Sequence, residues 1–260
     1  MEVGVGKLTT VATISSDIRE VAIGKLVLPT VVVCIPAYNE ETRIGLVVRE
    51  SRKFAYHVIV CDDGSADNTA AEAAESGALV LRHDRNEGKG AALRTLLGIA
   101  RKLSADVIIT LDADGQHDPS DIPKLVMPIL DGLADVVIGS RFGSGNKIPI
   151  YRKLGNSILT SLTNMTAKTK VQDTQSGFRA YSSRVISTIT INRNGMGVDS
   201  ELLIRVAKGG FRIEEKKVSV KYEGETSTFN PLSHTLRVVW SLLRGHGFTT
   251  NFFREPEQKS

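Results

Sequence analysis

Residues 110–118 read Thr-Leu-Asp-Ala-Asp-Gly-Gln-His-Asp and follow the apolar run Val107-Ile108-Ile109. Asp112 and Asp114 therefore fall where a buried strand would end. Residues i and i+2 of an extended chain point the same way, so the two carboxylates converge on one spot. Carboxylates held together repel unless positive charge lies between them. A hard divalent cation meets that need, taking oxygen ligands from side chains, water and substrate phosphates. Gln116, two residues further on, adds a neutral oxygen. Read alone, Asp-x-Asp-Gly is also turn chemistry, and Asp118 before Pro119 suits a helix cap. The apolar strand in front of it, and matching segments elsewhere, favour the cation.

Those segments follow from the order of elements. Apolar runs without polar alternation predict strands over 31–35, 58–61, 78–81, 107–111 and 135–138. Between them, helical spacing predicts helices over 40–53, from Ser65 or Asp67 to 75, over 89–103 and over 120–131. Strands this apolar belong to a parallel sheet covered by helices on both faces. A doubly wound α/β sheet binds its ligands outside the carboxyl ends of the strands. Five such ends carry Pro-Ala-Tyr-Asn-Glu (36–40), Asp-Asp-Gly-Ser (62–65), the polar Gly-rich stretch 82–90, the acidic segment 112–118 and Gly-Ser-Arg-Phe (139–142). One edge of the sheet is thus expected to be a continuous site. The second half is less regular, with helices expected over 156–167, 201–208 and 233–243 and one or two strands within 211–222. A single domain over 25–230 is expected, preceded by an extension (1–24) and followed by an amphipathic helix and tail (231–260).

Several alternatives fall away. No Gly-x-Gly-x-x-Gly follows the first strand, which counts against a dinucleotide-dependent dehydrogenase. The 86–90 segment lacks Walker spacing, although Lys89 at a helix start suits an anion. Asp62 and Asp63 end the second strand, where one carboxylate suits a nucleoside and both suit helix-start chemistry. Arg141 and Arg152 flank a Gly-rich loop (143–147), and an arginine fork suits phosphate, with Arg141 the better placed. His117 is read as a turn residue or a group behind the ligands. Gln175, Arg179, Asp199 and Glu201 read by themselves as caps and ion-pair members. A net charge of +4 without any Lys/Arg block does not point to nucleic acid. Cys34 and Cys61 lie inside apolar runs and read as buried, reduced thiols of a cytoplasmic protein. No signal peptide or membrane span is expected; the longest apolar run, around 25–35, is broken by Pro29.

The segments 36–40 (PAYNE), 62–69 (DDGSADNT), 86–100 (NEGKGAALRTLLGIA), 112–119 (DADGQHDP), 139–142 (GSRF) and 173–180 (DTQSGFRA), in this order and spacing, resemble glycosyltransferase family 2. The resemblance covers roughly residues 30–225 and leans to the dolichyl-phosphate mannose synthase and polyprenyl-phosphate hexosyltransferase branch. It implies a GT-A, Rossmann-like nucleotide-sugar-binding fold with a mostly parallel central sheet flanked by helices. It implies inverting transfer of a hexose from a nucleotide sugar to dolichyl or polyprenyl phosphate. By the same resemblance Pro36, Ala37, Tyr38, Glu40, Cys61, Asp63, Asn86, Lys89, Asp112 and Ala113 would meet the nucleotide sugar. Asp112, Asp114 and Gln116 would bind Mg2+ or Mn2+, and Asp114 and Arg141 would act at the reacting centre. Arg141, Arg152, Asp173, Gln175, Ser176, Arg179, Asp199 and Glu201 would shape the acceptor side.

One departure leaves the donor open. Mannose synthases typically carry basic residues just after the strand that ends near Tyr222, whereas this chain has Glu223 and Glu225. GDP-mannose, UDP-glucose and a UDP-N-acetylhexosamine all stay in view. So do a same-fold transferase for a soluble saccharide or protein, and a non-catalytic nucleotide-sugar-binding protein. A lipid acceptor implies a peripheral protein at the cytoplasmic membrane face, or one held by a membrane-protein partner. Leu236, Val239, Trp240, Leu243 and Phe248, with Arg237 and Arg244, would lie on a membrane or pack onto the domain.

Overall fold

The computed structural model describes residues 29–142, 160–195 and 197–220. The β-branched run of β1 (Val31–Ala37) is almost wholly buried and forms the middle of the sheet. The chain then winds outward through α1 (Glu41–Ser51), β2 (His57–Asp62), α2 (Thr69–Glu75) and β3 (Leu79–Arg82). Helix α3 (Lys89–Lys102) carries it back across β1 to β4 (Val107–Thr110), which pairs with the other side of β1. The winding direction therefore reverses between β1 and β4, and such a reversal opens a crevice at the strand ends. Segments 36–40 and 112–118 leave the sheet at that crevice.

A 3-10 turn (Pro119–Asp121) and α4 (Ile122–Leu130) share the stretch read as one helix over 120–131. Asp118 caps it by accepting from the Ser120 amide at 2.9 Å, as its place before Pro119 suggests. The helix expected from Ser65 or Asp67 starts at Thr69. Asp67 still serves it, accepting from the Thr69 amide at 3.0 Å, while the Ser65 hydroxyl accepts from the Asn39 amide at 2.9 Å. Beyond β5 (Val136–Ser140) come a helical stretch at 160–167, β6 (Arg179–Ser182), α5 (Ser183–Thr188), α6 (Val198–Lys208) and β7 (Ile213–Lys217).

The seven strands run in the order β3-β2-β1-β4-β6-β5-β7. The sheet is mostly parallel, with β6 antiparallel to both of its neighbours. Strand β6 was not apparent from sequence, because a four-residue Arg-Ala-Tyr-Ser element carries no strand pattern. It separates β4 from β5 and brings segment 173–180 beside segment 112–118, with Thr110 opposite Arg179. The alternation over 211–222 yields one strand and an isolated bridge between His117 and Val220.

Each sheet face is covered. Leu93, Leu96, Val185, Ile186, Leu202 and Val206 cover one face against Val32, Cys34, Ile59 and Ile108. Ile44, Val48, Ile122 and Leu125 cover the other against Val33, Ile35, Val60 and Ile109. Cys34 and Cys61 are buried and free, as expected. Burial pushes both thiols up, Cys61 to about 12. Among the described residues no helix is long and apolar enough to cross a membrane. The extension 1–24, Arg152 and the helix and tail 231–260 lie outside the described residues.

The start of α3 is locked to the 191–195 loop. Gly88 has φ +98, and the Gly90 amide donates to the Asn194 carbonyl at 2.6 Å. A Cβ on Gly90 would lie 2.0 Å from the Arg193 carbonyl oxygen, a backbone atom that has no rotamer to change. Gly90→Ala gains at most about 1 kcal/mol of helix propensity. The forced shift costs about 1–3 kcal/mol. The expected outcome is a lower melting temperature than wild type by circular dichroism; an unchanged or raised one would show that the loop yields freely.

Candidate active site

The crevice is lined first by the acids that leave β4. Asp112 Oδ1 accepts from the Lys89 ammonium at 2.8 Å, and the same ammonium lies 3.0 Å from Asp199 Oδ2. The carboxylate of Asp112 rests against Gly177, where a Cβ would come within 2.2 Å of Oδ2. Any side chain at 177 would therefore displace the acid, and glycine there lets the 173–180 segment close on it. Burial alone would raise Asp112, but the charge and hydrogen bond of Lys89, with His117 and Arg141 beyond, hold it below the usual carboxylate range.

Asp114 is different. Among the described residues its Oδ1 accepts only from the Gln116 amide at 3.0 Å, across a turn made by Gly115 at φ +71. Burial, then Asp112 and Glu40, push Asp114 up to about 6. Burial also raises Glu40 despite its ion pair with Arg43 at 3.1 Å. Three acids thus converge on the crevice, and Lys89 meets only part of their charge. Among the described residues no three His, Cys, Asp or Glu side chains are arranged to hold a metal unaided. Two carboxylates and an amide, completed by phosphate oxygens and water, fit a cation of the Mg2+ kind. The strained charge at Asp114 is the observation that fits the residues to such an ion. His117 is buried, its Nδ1 has no hydrogen-bond partner among the described residues, and its ring lies 5.3 Å from that of Phe178. Burial and then Arg141 push it down to about 4, so it is neutral near pH 7.

Around the acids, Tyr38 stands at the mouth, 44% exposed, with Pro36 half-buried and Asn86 exposed opposite. Ala37 and Ala113 are buried, so they offer backbone more than side chain. Two residues expected to meet the nucleotide are otherwise engaged. Cys61 is in the core, its sulfur 3.5 Å from His83 Nε2. The Asp63 carboxylate is taken up by the amides of Glu87 (3.0 Å) and Gly88 (2.7 Å) and by His83 Nδ1 (2.7 Å). It brackets the 86–88 loop, since a buried carboxylate needs every donor it is given. Asp62 is similarly bound, to the Ser65 amide and Arg82. Lys89, expected to face an anion, faces two carboxylates.

The acceptor-side residues separate into two groups. Arg141 donates through Nε (2.7 Å) and Nη2 (2.8 Å) to both oxygens of Asp173, a planar fork on a fully buried acid. Asp173 therefore positions Arg141 from behind. Gln175 donates to Ser200 Oγ at 2.8 Å, and Asp199 holds Lys89. The rest are structural. Arg179 is completely buried and donates to the carbonyls of Ser176 (2.8 Å), Asp199 (2.9 Å) and Thr174 (2.7 Å). Its guanidinium is spent on two carbonyls of the irregular segment before β6 and one in the first turn of α6. The Ser176 hydroxyl accepts from the Phe178 amide, and Glu201 accepts from the amides of Asn192 and Arg193 and from Arg205 Nε.

Glu215 was not singled out by sequence. Its two carboxylate oxygens accept from the amides of Gln172 (2.8 Å) and Asp173 (3.0 Å), so β7 fixes the backbone that carries Asp173, which fixes Arg141. Nothing in the local run Ile213–Lys217 marks that acid, because its partners are some forty residues away.

Residues 32–190 match the family model described as glycosyl transferase family 2. The chain is 33% identical over 211 residues to UDP-N-acetylglucosamine--dolichyl-phosphate N-acetylglucosaminyltransferase of Methanococcus voltae, covering 72% of this chain and 84% of the relative. It is 31% identical over 217 residues to a dolichyl-phosphate hexose transferase of Haloferax volcanii, covering 82% and 92%. Its fold is similar to crystallised glucosyl-3-phosphoglycerate synthase from Mycobacterium tuberculosis in complex with Mn2+, UDP and glucosyl-3-phosphoglycerate. That likeness has a TM-score of 0.70 at 25% identity and covers 89% of this chain and 84% of the other.

The raised Asp114 has a consequence for stability. Its folded value of about 6 lies above the ordinary 3.8, so between those values the folded state binds more protons than the unfolded one. In metal-free protein this group's contribution to stability therefore rises as the pH falls from about 7 to about 4. Asp114→Asn removes that dependence. The variant is expected to melt above wild type at about pH 7.5 and to lose the advantage by about pH 4. A melting-temperature gap that is constant across this window would contradict the assignment.

Proposed function

The chain belongs to glycosyl transferase family 2, and from that premise we propose that it moves a hexose from a nucleotide sugar to dolichyl or polyprenyl phosphate, with inversion and with a divalent cation. The enzyme is a glycosyltransferase. The carrying observation is the convergence of Asp112 and Asp114 at the β1/β4 reversal, with Asp114 pushed up to about 6. Such a pair is complete only when positive charge and phosphate arrive together.

In this reading Asp112, Asp114 and Gln116 hold Mg2+ or Mn2+. Bound there, the ion would neutralise charge building on the leaving diphosphate. Pro36, Tyr38 and Asn86 border the nucleoside and exclude water from one side. Arg141, held rigid by Asp173 and Glu215, offers preorganised positive charge to phosphate at the reacting centre. An acceptor phosphate monoester has a second pKa near 6 and is largely dianionic at neutral pH. It needs orientation and screening more than a general base, and no base is assigned. A UDP-linked donor is favoured, because the Methanococcus relative is named for one and the Mycobacterium neighbour was crystallised with UDP. The lipid acceptor follows the names of both archaeal relatives and puts the enzyme at the cytoplasmic membrane face, peripherally or with a membrane-protein partner. A soluble phosphorylated acceptor is the second reading, favoured by the glucosyl-3-phosphoglycerate bound to the structural neighbour.

A thermal-shift panel of UDP- and GDP-sugars with and without Mn2+ tests the donor. One donor is expected to stabilise the protein only with Mn2+, by about 2.7 kcal/mol at a hundredfold excess over its dissociation constant. Asp114→Ala should abolish that metal-dependent part. Incubating the radiolabelled donor with polyprenyl phosphate and extracting with organic solvent tests the acceptor. Label in the organic phase supports the lipid; label moving only to phosphoglycerate-type acceptors in water replaces it with the second reading.

A further inference from the structure

The ammonium of Lys89 occupies an unusual place for a lysine beside a cation site. Its side chain is 17% exposed, and it bridges Asp112 Oδ1 and Asp199 Oδ2, the first from the end of β4 and the second from the first turn of α6. The backbone behind it is fixed by Gly88 and by the Gly90 contacts with Arg193 and Asn194, so the amine has little freedom to swing elsewhere. Among the described residues the opposing charges that act on it are Asp112, Asp199 and Asp114; Glu40, which adds to the charge at Asp114, already faces Arg43. Arg141, the other cation near Asp112, is committed through two nitrogens to Asp173.

We propose that Lys89 is a built-in counter-ion of the donor site, one that makes capture of the divalent cation depend on prior or simultaneous binding of the nucleoside diphosphate. The inference rests on the metal reading above and adds an order to it. Without a nucleotide, a dication approaching Asp112 and Asp114 must share a carboxylate with an ammonium fixed beside it, and the two repel strongly in a site partly removed from water. The diphosphate brings enough negative charge for both cations to stay. Lys89 then lies between Asp112, Asp199 and the incoming anion without leaving its socket. Because binding free energies are linked, the factor by which nucleotide tightens metal is the factor by which metal tightens nucleotide. The enzyme would thereby avoid holding a bare metal ion, and Asp199 would tune the device by drawing the ammonium partly away from Asp112.

The test is titration with Mn2+, following loss of the free-ion electron paramagnetic resonance signal, with protein alone and with UDP or GDP present. Wild type is expected to bind Mn2+ at least tenfold more tightly with one of the nucleotides than without. Lys89→Met should bind Mn2+ alone at least tenfold more tightly than wild type and show a smaller nucleotide effect. Lys89→Arg, which keeps the charge, should stay near wild type. Asp199→Asn leaves the ammonium on Asp112 alone and should weaken nucleotide-free Mn2+ binding. A merely structural lysine would instead give looser binding in Lys89→Met, as in any damaged site. Circular dichroism establishes that each variant is folded; should Lys89→Met not fold, the direction of the Asp199→Asn change decides, and tighter nucleotide-free binding there overturns the proposal. If Mn2+ binding is nucleotide-dependent in wild type but unchanged in Lys89→Met, the counter-ion role falls while the metal site stands. If Mn2+ binds under none of these conditions, or binds equally to Asp114→Ala, the metal reading falls and the inference with it.

Discussion

Negative charge gathered in a half-buried crevice is the constraint from which the site's other features follow. Asp112 and Asp114 follow β4 in the loop and turn beyond Thr110, at the reversal between β1 and β4, with Glu40 arriving from the segment after β1. Like charges so placed either change protonation or acquire a partner. Both responses are visible. Asp112 has Lys89 and is held ionised, while Asp114, among the described residues, has only a backbone amide and is pushed up. Gly177 is required because Asp112 fills the space its side chain would need, and the neighbouring His117 stays neutral because it is buried next to Arg141.

The half of the crevice around Arg141 and Asp173 is assembled by a second device. Segments 172–178 and 191–195 carry little regular hydrogen bonding, and buried backbone polar groups must find partners somewhere. Here they find charged side chains. Arg179 satisfies three carbonyls, Glu201 two amides and Glu215 two more. Asp63 does the same for the loop at 86–88. Charged residues clustered at a site are thus mostly its scaffolding, and the groups left to face a ligand are fewer than the motifs suggest. Removing one such bracket would strand several backbone groups together, which is why they behave as load paths for Arg141 and Lys89 and not as independent contacts.

The two halves meet through charge. Lys89 joins the donor strand β4 to the helix α6, and the fork of Asp173 on Arg141 joins the end of β5 to the segment before β6. In this family 2 glycosyltransferase, the proposed function would make such cross-links the coupling between a departing diphosphate and an arriving phosphate. Preorganised charge of this kind needs no reorganisation at the moment of transfer.

Much was legible in the residues alone. Unbroken Val/Ile runs announced buried parallel strands because both faces must be covered. The polar segments after five of them are what place the expected site on one edge, and the acid pair is what motivates the proposed cation, although the loop and turn after Thr110 carry it and not the strand itself. The helices over 41–51 and 89–102 also lie close to where apolar spacing expects them, whereas the starts at Thr69, Ile122 and Val198 differ from the sequence reading. Tertiary structure decided whatever depended on distant partners. Strand β6 is defined by β4 and β5 and not by its own four residues. Arg179, Ser176, Glu201, Cys61 and Asp63 carry side chains fit for ligands, and only the fold shows that backbone or core has claimed them. Lys89 and Glu215 show the converse, because their partners lie 110 and some forty residues away along the chain. Local order is written in neighbouring residues, whereas the assignment of a buried charge is settled by whichever group packing brings within reach.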